Sequence, residues 1–144
     1  LIDGLQPADT VFYESAGIKY KKNHEITKEA RTLLNGQATP KEWAQRLMAR
    51  VYVSFSAVIS LNREGEVIEL FQFDTYFPDG EMIVAKDAAQ VWLMSNHPEG
   101  MRQMTQEDWR NLRLVQQAAG GAQMRMFLAG EELGCVEVEI QRQA

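Results

Sequence analysis

The chain has 144 residues, 45% hydrophobic and 24% charged, with 10 Gly and 4 Pro, a globular composition sized for one domain with its own core. The single cysteine, Cys135, excludes a disulfide framework and a cysteine-only zinc site, and no apolar run is long enough to span a bilayer. A net charge of -5, from 15 Lys and Arg against 20 Asp and Glu, argues against nucleic acid as a partner, because phosphate binding draws on a basic excess. The only basic cluster is Lys19, Lys21 and Lys22, followed by Lys28, and it reads as a solvated surface. Leu1 stands where a natural start would have Met, which fits a trimmed piece or a removed leader.

Residues 1–36 read as an N-terminal extension, and residues 37–144 as the main domain. In the extension, Val11 to Tyr13 and Ile18 to Tyr20 flank Ser15-Ala16-Gly17, the pattern of a short hairpin. Ile26, Ala30, Leu33 and Leu34 then fall at helical spacing before an Asn35-Gly36 stop, with His24 just ahead of them as a surface or capping histidine. The main domain opens on Thr39-Pro40-Lys41-Glu42, a capping box with proline at the first helical position. The helix it starts carries Trp43, Leu47 and Met48 on one stripe.

Val51 to Leu61 alternates as a strand, with Val53, Phe55 and Ala57 opposite Ser54 and Ser56. Asn62-Arg63-Glu64-Gly65 is a turn, and Glu66 to Asp74 returns. After Phe77-Pro78-Asp79-Gly80, Glu81 to Val84 reads as a third short strand, completing an antiparallel meander. Lys86 to Gln90 is a break or single helical turn. Val91 to Met94 is a wholly apolar run, short enough for a buried strand, which ends in the polar stretch Ser95 to Gly100. Thr105 opens a helix to about Ala119, with Trp109, Leu112, Val115 and Gln116 near one face, and Gly120-Gly121 stops it. Met124 to Ala129 and Leu133 to Ile140 close the chain as strands. The expected class is α+β, in α/β/α layers: a mixed, largely antiparallel sheet flanked by helices.

The chemistry concentrates at His97 and Asp108. A histidine at the end of a buried strand and an aspartate in the first turn of the next helix can converge on one point, and both are zinc-ligand types. Two ligands fall one short of a catalytic zinc site. Thr105 and Asp108 also have the spacing of a capping box, which accounts for both without any metal. Trp43, Trp92 and Trp109 sit on apolar faces and are expected in the core, and Cys135 reads as a small buried hydrophobe.

Ser95-Asn96-His97-Pro98-Glu99-Gly100 followed by Thr105-Gln106-Glu107-Asp108 resembles the JAB/MPN (JAMM) metalloprotease motif in its bacterial RadC-like form. That motif is His-x-His, seven residues, then Ser-x-x-Asp, and Pro98 to Met104 supplies the seven. The likeness extends over roughly Thr39 to Ile140 and implies a cytidine-deaminase-like fold. In such a family the metal would be zinc, with His97 and Asp108 as ligands and Thr105 at the oxyanion-stabilising position. The departures are specific. Ser95 stands at the first histidine, Thr105 at the serine, and no acidic residue lies between Arg50 and Ser56, where the general-base glutamate is expected. Glu42, Glu64, Glu66, Glu69 and Glu81 are present but none sits where that base is expected, and the segment from Val84 to Val91 is shorter than the family's helix there.

With a ligand and the base missing, the resemblance implies a non-catalytic, cytoplasmic, prokaryotic protein-binding or scaffolding module without cofactor. Its first candidate partners are ubiquitin-like or other extended C-terminal tails. The first alternative is a zinc-dependent peptidase or isopeptidase using His97 and Asp108, with His24 as the remaining histidine for a third ligand. The second is a DNA-processing accessory, suggested by the RadC likeness alone and opposed by the acidic charge.

Overall fold

The apolar run at Val91 lies in a strand buried along nearly its whole length, and the architecture is arranged around it. The structure, a computed structural model, describes residues 10–15, 18–23, 39–48, 54–73 and 84–140. In chain order these form β1 (Thr10–Ser15), β2 (Ile18–Asn23), α1 (Pro40–Met48), β3 (Ser56–Leu61), β4 (Val67–Phe73), β5 (Gln90–Asn96), α2 (Gln106–Ala119), β6 (Gln123–Gly130) and β7 (Gly134–Val138).

Among the described residues the strands form one sheet in the order β1-β2-β4-β3-β5-β6-β7. Its mixed five-strand body runs from β4 to β7, and the β1–β2 hairpin adds to the β4 edge through pairs such as Tyr20 with Phe73. β5 pairs antiparallel with β3 and parallel with β6. A parallel neighbour requires a crossover rather than a tight turn, and α2 supplies it. The remaining pairings are antiparallel, so the chain has an α+β fold.

Strand alternation divides the core between two faces. Trp92 and Met94 of β5 join Phe127 and Ala129 of β6 and Ala57, Ile59 and Leu61 of β3 under Trp43, Ala44 and Met48 of α1. Val91 and Leu93 join Met126, Leu128 and Val58 under Leu112 and Val115 of α2. The sheet therefore lies between two helices. Each large apolar side chain buried this way contributes about 1.5–3 kcal/mol. Trp43 stands edge-on to Trp92 at 6.5 Å, and Arg125 lies over the Trp92 and Phe127 rings while gripping Glu137 at 2.6 and 3.0 Å.

Several expectations are corrected in detail. Trp109 is 53% exposed rather than in the core. The buried stripe of α2 is Asp108, Asn111, Leu112 and Val115, and Trp109 lies about 100° round the helix from Asp108. Two polar residues occupy the inward positions, which displaces the apolar period read from the sequence. β5 also runs on through Ser95 and Asn96, so both lie on the strand and not in the loop after it. The capping box at Thr39 is present: its Oγ1 accepts from Glu42 N–H at 3.2 Å, and Thr39 N–H donates to Glu42 at 3.4 Å. The helix expected from Ile26 to Leu34, and Glu81 to Ile83 of the short strand expected at Glu81 to Val84, lie outside the described residues. No helix among the described residues is long and apolar enough to cross a membrane.

Candidate functional site

The site is built where β5 leaves the sheet. Ser95 and His97 follow Leu93 at intervals of two, so they share the face that α2 covers. The chain is held in line one residue past the strand, because His97 N–H donates to the Ala129 carbonyl at 2.7 Å. Gly130 makes this approach possible: a Cβ there would lie 2.7 Å from the His97 carbonyl oxygen. Gly100 N–H then donates to that same oxygen at 3.0 Å, and Gly100 takes a φ of +79°, which favours glycine. This turn brings the Met101 carbonyl to within 2.7 Å of His97 Nδ1.

α2 supplies the other half. Thr105 caps it, with Oγ1 accepting from Asp108 N–H at 3.1 Å and Thr105 N–H donating to Asp108 Oδ2 at 3.0 Å. The box points the Asp108 carboxylate back over the positive end of the helix. There His97 Nε2 donates to Oδ2 at 2.8 Å and Ser95 Oγ donates to Oδ1 at 2.5 Å. Sequence spacing thus anticipates three of the four residues brought together, His97, Thr105 and Asp108.

Both ring nitrogens of His97 face oxygens. A carbonyl can only accept, so Nδ1 carries a proton, and Nε2 needs a second proton to bond the carboxylate. His97 is therefore an imidazolium and Asp108 its counter-ion, with both side chains 5% exposed. The bond to Asp108 raises the His97 pKa above its ordinary value, against the opposing cost of burial. Burial alone would raise Asp108, but the bonds from His97, Ser95 and the Thr105 backbone together hold it below the usual carboxylate range.

This arrangement bears on two chemistries. In a Ser–His–Asp triad the serine bonds the histidine, whereas here Asp108 is the hub and Ser95 bonds the acid, leaving no base on its hydroxyl. Zinc would need three protein ligands, including a deprotonated imidazole nitrogen. His97 has both nitrogens engaged, Ser95 offers a neutral hydroxyl, and among the described residues no three His, Cys, Asp or Glu side chains converge. Among the described residues the donor set falls short of the three protein ligands zinc requires. His24 lies outside the described residues.

The carboxylates weighed as a general base are placed elsewhere. Glu42 caps α1, and Glu64 and Glu66 belong to the β3–β4 turn, at the opposite end of β3 from the Ser56–Ser95 pair. Glu69 on β4 pairs with Ser60, and Glu81 lies outside the described residues. Cys135, half-buried on β7, packs into the α1-side cluster across the sheet from Asp108, and burial pushes its thiol up.

Above the Ser95–His97–Asp108 cluster opens a cleft of about 500 Å³. Its walls add Ser54, Phe55 and Ser56 from β3 and its approach, Asn111 from α2, and the carboxylates Glu99 and Glu107. Sequence reasoning did not single these out as site residues. Two signals were available: Ser54 and Ser56 share the strand face of Ser95 in register, and Asn111 is one helical turn beyond Asp108. The chain matches no protein-family model and no curated protein.

Proposed function

We propose that this chain is a JAB/MPN-type domain of the RadC-like branch, with an α/β/α layering akin to cytidine deaminases. In this reading the metal position has become a metal-free Ser95–His97–Asp108 cluster, and the protein acts as a non-catalytic binding or scaffolding module. The single observation that carries it is the direct His97–Asp108 bond at 2.8 Å, made while the other ring nitrogen is held by Met101. The two residues that would hold zinc are spent on each other, and Ser95 supplies a hydrogen bond to Asp108 where a ligand would stand. A scaffold can outlast its chemistry in this way. What the cluster leaves is a hydrogen-bonded floor beneath an open cleft, and the bound partner is a protein segment.

Selection of displayed peptides on the intact chain in excess chelator tests this, with enriched peptides mapped by NMR. The expected result is chelator-insensitive binding that perturbs Ser54, Ser56 and Asn111. Cleavage of a peptide or isopeptide bond in the presence of zinc, stopped by His97→Ala, would overturn it in favour of a metallopeptidase.

A further inference from the structure

The cleft has a chemical bias that its lining makes explicit. Among the described residues none that lines it is Lys or Arg, and the one cation, His97, is already neutralised by Asp108. Glu99, in the turn after β5, and Glu107, in the first turn of α2, contribute two further negative charges, and neither has an ion-pair partner among the described residues. Pro98 and Met101 add apolar surface to the lining, Met101 being 48% exposed. Ser56, only 4% exposed, also lines the cleft.

We infer that the cleft takes an extended peptide segment bearing Lys or Arg. This rests on the binding-module reading and specifies the partner's chemistry. Such side chains lay an aliphatic stem along apolar surface and keep a charged head at its rim. Here the stem lies against Pro98 and Met101, and the head meets Glu99 and Glu107. The volume lies within the roughly 300–1,000 Å³ of ordinary ligand sites. The same charges oppose an anionic occupant, whether a phosphate or the free carboxylate of a C-terminal tail.

The test uses labelled Gly-Ser peptides with a central pair of arginines, glutamines or glutamates, titrated into the intact chain in chelator and followed by fluorescence anisotropy. The arginine peptide is expected to bind more tightly than the other two and to weaken with added salt. Glu99→Gln with Glu107→Gln should weaken it about tenfold, and Glu99→Lys with Glu107→Lys should transfer the preference to the glutamate peptide. Both positions are at least partly exposed, so the variants retain the fold. Equal binding of all three peptides, no binding of any, or arginine-peptide binding unchanged by Glu99→Gln with Glu107→Gln would overturn the inference. Tight binding of the glutamate or glutamine peptide at the cleft would overturn it while leaving the module reading intact. In a parallel incubation with zinc in place of chelator, cleavage of any peptide would instead remove the module reading.

Discussion

Ser95 and Asp108, thirteen positions apart, are joined by a 2.5 Å hydrogen bond that runs from the end of the central strand to the first turn of the following helix. The serine stands where the resemblance would put a metal-binding histidine, and it serves the carboxylate instead. With His97 on the other oxygen, Asp108 becomes the point through which strand, loop and helix are tied together.

Removing that point should be costly. Asp108→Asn leaves the His97 imidazolium buried without its counter-ion, and breaking a buried pair from one side costs about 3–5 kcal/mol. Denaturant unfolding should report this loss. His97→Gln combined with Asp108→Asn should cost less than the two single changes summed, because the partners are coupled.

The pair also sets a pH window. His97 binds its proton more tightly when folded, so its contribution is complete below its ordinary value of 6.5 and is lost as pH rises through the raised folded value. Asp108 behaves oppositely: its contribution is complete above 3.8 and is lost as pH falls through the depressed folded value. Melting temperature should therefore be highest between these limits and decline on the alkaline side. His97→Gln should flatten that alkaline decline, with His24 common to both proteins; an unchanged profile would contradict the ion pair.

Thr105 separates a cap from an oxyanion donor. Thr105→Ser keeps the hydroxyl and should be nearly neutral, whereas Thr105→Ala should cost about 1 kcal/mol as a lost N-cap. The thermal unfolding of both variants checks this.

Gly130→Ala tests the close passage of β6 beneath the site. The added methyl would meet the His97 carbonyl at 2.7 Å, with backbone on both sides of the contact. The expected cost is about 1–3 kcal/mol, typical of overpacking, together with a displaced His97 ring signal in NMR spectra.

Much of this was legible in the sequence, for local reasons. The Val91 to Met94 run, the turn at Asn62 to Gly65 and the capping boxes at Thr39 and Thr105 each depend on neighbours in the chain, and each is found. The contact between His97 and Asp108 follows from a strand end feeding a helix start. Trp109 was misread because Asp108 and Asn111 take inward positions that hydropathy assigns to apolar residues. Ser95 read as a missing ligand, since a hydroxyl gains meaning only from the carboxylate opposite it. Glu99, Glu107 and Ser56 needed the third dimension, because the cleft they line joins β3 to a loop some forty residues later.

Zinc content tests the central claim most directly. The chain would be purified without added metal or chelator, dialysed against micromolar zinc, and analysed for metal beside His97→Ala. The hydrogen-bonded cluster predicts no stoichiometric zinc in either protein. About one zinc per chain in the parent and none in the variant would contradict it, and would restore His97 and Asp108 as ligands of a metal site.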